Sequence, residues 1–512
     1  MKINLSKIGQ ELKKRGFFSF IQKIKRDEPS SEIYLVGGAV RDLIIGRQTT
    51  DFDFVIRNVP KKKLEKILSR MGKVNFVGKT FGVLKLVIKN NSNEIDVALP
   101  RTDFAFNTGG RKDFKIKHDS KLKIENDLSR RDFTINAIAI KIKNEKFKTM
   151  DLEVIDPFGG LIDLKNKTIK TVGQPEKRFR EDYSRMLRGI RIATELNFSI
   201  ENKTWRAIKK NVKKLREQKA GKEIIPREVI AKEIIKSFLA NPAKAFDLFD
   251  QAGIFKILIP EVEKMKKCPQ PKEFHSEGDV FVHTKMAMIA LNSKKFKKEF
   301  PEKNKNSNLV MATLLHDIGK PSTTQTPQKN GTDRIRANNH DTVGAQMADK
   351  IIDRLKLSSP AQIGLNSKKV FWLIKNHLIM LHIKNSLSMV KSSTFEKYFF
   401  NQEMPSQDLL KLILADTLAC RPKGLKGADL KDYFKLKRKI KKLASLSKKK
   451  NILPPPMLNG HEIIKLLKIK PSPEIGKIKD DLRTAQLNKK VQNKNEAKNF
   501  LRKKYGFSTR LR

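Results

Sequence analysis

The stretch Ile33–Phe54, IYLVGGAVRDLIIGRQTTDFDF, constrains this chain more than any other. It opens on the apolar run Ile33–Val36, which predicts a buried strand. Gly37 and Gly38 then let the chain turn and bring its backbone close to a ligand. Val40–Ile45 reads as one or two helical turns, and Asp51-Phe52-Asp53 leads into a second strand, Phe54–Ile56. Alternate residues of a strand share a face, so Asp51 and Asp53 present two carboxylates side by side. Gly37 and Gly38 would offer backbone N–H groups to phosphate oxygens, and Arg41 a two-pronged guanidinium. Hard divalent cations take oxygen ligands together with substrate phosphates, so the whole suits Mg²⁺-dependent phosphoryl or nucleotidyl transfer.

Either half of this signal alone is ordinary: Gly-Gly pairs occur in many turns, and Asp-x-Asp often ends a strand. The rest of the chain bounds the choices. With 512 residues there is room for several domains. The net charge is 109 − 55 = +54, which points to nucleic acid as partner on top of a lysine-rich compositional bias. Cys268 and Cys420 are the two cysteines, so no disulfide framework or cysteine-rich zinc site is implied. No apolar run approaches a membrane span and no signal sequence is legible, so a soluble cytoplasmic protein is expected.

Residues 1–30 predict an amphipathic lead-in helix. Lys61–Met71 repeats apolar residues at helical spacing, and Phe81–Ile88 with Glu94–Ala98 predicts a hairpin turning through Asn90–Asn93. Asp96 on its second arm is either a third carboxylate for the site or an edge-strand charge. Thr102–Asp127 is charged and poor in apolar residues and reads as a loop. In Arg130-Arg131-Asp132-Phe-Thr-Ile-Asn136-Ala-Ile138, the residues Ile135, Ala137 and Ile138 can bury one side while the polar ones face a ligand. From Pro175 onward helical periodicity dominates, ending in a basic tail.

Within Phe179–Leu196, Asp182 and Arg185 sit at i and i+3, so they would share a helix face, with Arg188 three residues on. A carboxylate accepts from an exocyclic amino group and a guanidinium donates to a ring nitrogen, the pattern that cytosine and adenine present. The commoner use of that spacing is a salt bridge on a helix surface. Further on, His283, the adjacent His316-Asp317, His340, His377 and Asp416 each lie beside a helical segment. Imidazole and carboxylate together suit a divalent metal.

Five segments in order, GGAVRD with DFD, IDVALPR, RRDFTINA, DPFGG with Asp163, and EDYSRMLRGIRIATELNF, resemble the class II tRNA nucleotidyltransferase (CCA-adding) and bacterial poly(A) polymerase family over most of residues 30–200. The histidine segment resembles the HD phosphohydrolase domain. The resemblance implies an α/β nucleotidyltransferase head of the polymerase-beta type, followed by a mostly α-helical neck, body and HD-type domain. The expected divisions are a lead-in helix (1–30), the head (31–175), a neck and body that read the base and bind RNA (176–270), an HD-type domain (271–420) and a basic tRNA-binding tail (421–512). It implies Mg²⁺ on Asp51 and Asp53, with Asp96 as third carboxylate where the family often has Glu. Arg130, Arg131, Asp132 and Asn136 would hold the nucleotide and its ribose, and Asp182 and Arg185 would read the base with Arg188 close by. His283, His316, Asp317, His340, His377 and Asp416 would hold a second divalent metal for phosphate-ester hydrolysis. The implied activity is template-independent addition of C and A to tRNA 3′ ends from CTP and ATP. The alternatives are a poly(A) polymerase, an enzyme adding only CC or only A, or an RNA-binding protein without catalysis.

Overall fold

Apolar residues recur on both faces of the strands around the Gly-Gly turn, so the sheet they form must be covered on both sides. The computed structural model describes residues 3–77, 83–88, 94–110, 113–146, 149–301, 305–359, 364–383, 390–446 and 453–506. It divides into two units, Met1–Leu258 and Ile259–Arg512.

The longer strands of the first unit are β1 (Glu32–Val36), β2 (Phe52–Arg57), β3 (Gly72–Val77), β4 (Val83–Ile88), β5 (Glu94–Ala98), β6 (Arg101–Ala105), β7 (Phe114–His118), β8 (Ala139–Lys146) and β9 (Thr149–Ile155); four two-residue strands follow. Seven of them form one mixed sheet in the order β3-β4-β5-β2-β1-β8-β9. β2 and β5 run parallel, with Asp53 beside Asp96; their other neighbours are antiparallel. β4 and β5 pair as expected from the sequence, although the turn proposed at Asn90–Asn93 lies outside the described residues.

One face of the sheet carries Ile33, Leu35, Phe52, Phe54, Ile95 and Val97 into a large apolar core. The N-terminal segment covers it with two helices, Leu5–Lys14 and Phe17–Asp27, rather than the single helix expected. Gly16 separates them at φ 77°, a conformation that costs glycine little. Phe17 meets Phe52 and Phe54 edge-on at 4.8 and 5.6 Å between ring centroids. The other face buries Tyr34, Val36 and Val55 under Ile124, Leu128 and Val172. Asp53 belongs to this second face by strand alternation.

Thr102–Asp127 is not a loop: β6 and β7 form an antiparallel ribbon within it, followed by the helix Ile124–Ser129. A two-stranded ribbon outside the main sheet needs few apolar residues, so its strands do not look like core strands. Beyond the sheet come the helices Pro175–Glu181, Ser184–Leu196, Asn202–Asn211 and Arg227–Ala240, the last packed on Ser184–Leu196.

The second unit is largely helical. Val280–Ala290, Ser307–Leu315, His340–Arg354, Ser367–Asn376 and Ser406–Ala419 form its main bundle. Ser307–Leu315 is buried on every side, as a helix with apolar residues all around its circumference requires. Gly460–Leu467, Glu474–Leu487 and Lys494–Tyr505 pack around a separate small core of Ile463, Ile478, Leu482 and Leu501. Among the described residues no helix is long and apolar enough to cross a membrane.

Phe54 is 1% exposed and touches the aromatic residues of the second N-terminal helix. Phe54→Ala should destabilise the first unit by about 3–5 kcal/mol, measured by urea unfolding, if those helices are part of the sheet's core.

Candidate active site

The site begins where β1 ends. Gly37 has φ 80°, and a Cβ there would stand 3.0 Å from both Asp53 Oδ2 and Arg131 Nη1. Glycine is therefore required twice over, for its backbone conformation and for the close approach of two charged groups. Gly38 opens the helix Gly38–Ile44. Asp51 is exposed just before β2, and Phe52 between the two aspartates points into the core, so Asp51 and Asp53 lie on the opposite face.

Burial, with repulsion from Asp51 and Asp96 and partial relief from Arg131 and Arg188, pushes the Asp53 carboxyl up to about 6. Asp96 is raised too, first by burial, against the opposing ammonium of Lys85 at 3.3 Å. Three carboxylates thus gather on β2 and β5, and burial and mutual repulsion hold Asp53 and Asp96 above the usual range, a cost that a divalent cation would relieve.

The segment after Ile124–Ser129 builds an arginine wall. Asp127 is fully buried and accepts from Arg130 at 2.8 and 3.0 Å; Arg130 also reaches Asp103 at 3.1 Å. Arg131 hydrogen-bonds the Asn136 carbonyl at 3.4 Å. Asp132 accepts from the Phe133 backbone, from Asn136 and from Arg188. Burial alone would raise its pKa, but Arg188, Asn136 and Arg185 hold it well below the usual carboxylate range. Ile135, Ala137 and Ile138 are fully buried behind these polar heads, and Thr134 donates to Asp163 at 2.6 Å.

Arg41 is placed differently from the expectation. Its guanidinium grips both oxygens of Asp42 at 2.9 and 3.0 Å and donates to Asn136 at 2.8 Å, so it steadies Asn136. Asp182 and Arg185 do not share a helix face either. Asp182 is extended (φ −155°, ψ 104°) between the two helices, and one of its oxygens caps the second by accepting from Ser184 N and Oγ at 2.9 and 2.6 Å. An Asp side chain offered such donors competes with continuous helix. Arg185 pairs with Glu181 at 2.6 Å and is held further by the carbonyls of Arg178 and Arg130. Among the described residues no ion pair joins Asp182 to Arg185, so each keeps bonding capacity for something else.

A cavity of about 420 Å³ brings the separate segments together. Gly37, Gly38 and Asp53 line one side, Arg130, Arg131, Asp132 and Asn136 another, and Asp182, Arg185 and Arg188 a third. Sequence reasoning missed seven further lining residues, among them Arg101, Asp103 and Phe114 of the ribbon, and Glu233. Glu233 is buried and accepts from Arg191 at 2.6 Å. A buried glutamate on a helix otherwise rich in Ile and Phe was its one legible signal.

The second unit has its own cluster. His316, His340 and His377 each place Nδ1 on a backbone carbonyl, at 2.9, 2.6 and 2.5 Å. A nitrogen facing a carbonyl carries the proton, so each Nε2 is left with its lone pair. All three Nε2 atoms are buried without a hydrogen-bond partner among the described residues. They lie 3.4–3.8 Å from Asp317 oxygens. His283 sits between Glu277 at 2.8 Å and Asp416 at 2.9 Å. Burial disfavours its charge, but those two carboxylates push it up to about 9. His283, His316 and Asp416 form one group within metal-binding reach, and Asp317, His340 and His377 another. Buried, preoriented lone pairs facing carboxylates fit divalent metal.

Residues 33–170 match the family described as Poly A polymerase head domain, 197–266 the probable RNA and SrmB-binding site of polymerase A, and 282–420 the HD domain. The chain is 27% identical to an A-adding tRNA nucleotidyltransferase of Deinococcus radiodurans, over 92% of this chain and 94% of that one. It is 28% identical to a CC-adding tRNA nucleotidyltransferase of Thermus thermophilus, over 92% and 93%. It is also 30% identical to a multifunctional CCA protein of Neisseria meningitidis, over 64% and 68%. The fold is shared with the Bacillus stearothermophilus CCA-adding enzyme solved in complex with CTP, at a TM-score of 0.60 and 20% identity over 97% and 98%.

The raised Asp53 pKa has a stability consequence. Ionising Asp53 costs the fold stability, a cost that grows between about pH 4 and pH 6 and disappears by about pH 3, where the carboxyl is protonated folded and unfolded alike. Asp53→Asn should therefore stabilise the chelator-treated protein by on the order of 2–3 kcal/mol at pH 8 and leave it nearly unchanged at about pH 3, read by denaturant titration at both.

Proposed function

The chain belongs to the class II tRNA nucleotidyltransferase (CCA-adding) family, with an HD domain, and from that membership we infer that it adds C and A to tRNA 3′ ends from CTP and ATP. The observation that carries this is that Asp53 and the Asp182/Arg185 pair open into one nucleotide-sized cavity walled by arginines. The RNA 3′ hydroxyl oxygen bonds to the α-phosphorus of the incoming nucleotide, its proton leaves, and the bond to the departing pyrophosphate breaks. Asp51 and Asp53, with Asp96 beside them, would hold Mg²⁺, which supplies Lewis acidity toward the triphosphate and the attacking hydroxyl. Arg131 and the backbone at Gly37 and Gly38 would bind the phosphates, and Asp132 and Asn136 the ribose.

Base choice follows from the break at Asp182. With one oxygen fixed by Ser184, its other oxygen can accept from the exocyclic amino group of cytosine or adenine. Arg185, immobilised by Glu181, can donate to the adjacent ring nitrogen. Uracil and guanine present the opposite edge and would leave both groups unpaired, a penalty that discriminates strongly. Basic surface would track the RNA backbone. Lys435, Arg438, Lys439, Lys442, Lys489 and Lys490 line a concavity of about 910 Å³ in the second unit, and Lys209, Lys210 and Lys213 add charge in the first. The histidine cluster would hold divalent metal and hydrolyse phosphate esters such as 2′,3′-cyclic phosphates. A cytoplasmic location accords with tRNA as substrate.

Purified protein given Mg²⁺, CTP, ATP and tRNA lacking its 3′ terminus should yield CCA ends. A long A tract, or addition of C alone or A alone, would contradict that. Asp53→Ala should abolish incorporation while tRNA binding by filter retention persists. Asp182→Ala should admit UMP, and unchanged selectivity for C and A would remove the reading role. His316→Ala should lower bound metal by elemental analysis and remove phosphatase activity, with incorporation spared.

A further inference from the structure

The β6–β7 ribbon has two unlike faces. Arg101, Asp103 and Phe114 line the nucleotide cavity, and Phe114 stands opposite Ala105 in the register. Alternation then turns the intervening residues outward. Phe104 is 57% exposed, and Phe106, two residues on, is 65% exposed. Lys115 lies directly across from Phe104, and Lys117 across from Thr102. Both lysines are exposed, with no ion-pair partner among the described residues. The nearby Asp113 carboxylate is taken by the Thr108 hydroxyl. The outer face is thus two bare phenyl rings beside two free ammonium groups.

The ribbon is also anchored. Tyr183 N donates to the Gly109 carbonyl at 3.0 Å, and a Cβ on Gly109 would run into the Tyr183 ring at 1.9 Å. Its tip is therefore seated on the residue between Asp182 and Ser184, so the outer face is held at the edge of the nucleotide cavity.

We propose that this outer face is a stacking platform for the unpaired 3′-terminal nucleotides of the RNA that is being extended, with Phe104 and Phe106 against the bases and Lys115 and Lys117 against the phosphates. Exposed aromatic rings interleaved with lysine on a strand are the chemistry that recognises single-stranded RNA without regard to sequence. Such tolerance is needed where the terminal bases change with each addition. Two phenyls are too small a patch for a stable protein interface, and the free lysines favour a polyanion. The proposal rests on the assigned activity, because that activity requires an RNA 3′ end to reach Asp53 on the ribbon's inner side.

The test uses the full-length protein with two RNA minihelices, one blunt and one ending in unpaired nucleotides. Phe104→Ala/Phe106→Ala should raise KM for the overhanging minihelix by about tenfold or more, leave KM for CTP unchanged, and scarcely alter affinity for the blunt one. In a separate variant, Phe104→Trp, the added fluorescence should be quenched by the overhanging RNA and not by CTP. An unchanged RNA KM, an equal loss toward CTP and RNA, or a change in mass by light scattering would each overturn the platform, the last by marking the face as a contact between copies. Absence of incorporation by the wild-type protein would instead overturn the assigned activity, and the fluorescence test would still decide whether the face binds RNA.

Discussion

The first unit is organised around buried acid. Asp53 lies beside Asp96 across a parallel strand pair, with Asp51 just ahead, and burial first, then repulsion from Asp51 and Asp96, raises the Asp53 carboxyl. A fold tolerates such a cost when something it binds relieves it. The packing makes the cost bearable: Phe52 and Phe54, alternating with the aspartate, sink into a core closed by the N-terminal helices. The same alternation that buries the phenylalanines presents the acid.

Around that site the charges are balanced almost one for one, and this fixes geometry rather than adding much net stability. Arg130 is held by Asp127 and Asp103, Arg188 by Asp132, and Arg191 by Glu233 and Glu195. The Arg188–Asp132 pair and the Arg185 bond to the Arg130 carbonyl link the head to the helix Ser184–Leu196, so Asp182 and Arg185 are set at the cavity by residues on several different segments. In the second unit the same economy takes another form. Backbone carbonyls lock three imidazoles, and their lone pairs converge on Asp317.

Local features were legible in the sequence. The Gly-Gly turn, the carboxylate pair, the β4–β5 hairpin and the His-Asp segment all rest on contacts within a few residues or on strong periodicity. What was not legible depends on partners far away in the chain. Arg41 looked free for phosphate because its bond to Asn136, 95 residues on, has no trace in local spacing. The helix break at Asp182, where its carboxylate accepts from Ser184, is also held from a distance by Tyr183 N donating to the Gly109 carbonyl. The ribbon at Arg101–His118 was hidden because one of its faces serves a cavity and the other is exposed, so neither shows a core pattern. Glu233 entered the site only through helix packing.

One cavity would thus take the metal on Asp53, with Asp51 beside it, and the base on Asp182 and Arg185. A crystal structure with CTP and Mn²⁺ in place of Mg²⁺ tests it most directly through the anomalous signal of manganese. The expected peak lies beside the Asp51 and Asp53 carboxylates, with the cytosine amino group on Asp182 and its ring nitrogen on Arg185. A peak away from Asp53, or a base that leaves Asp182 and Arg185 untouched, would contradict it.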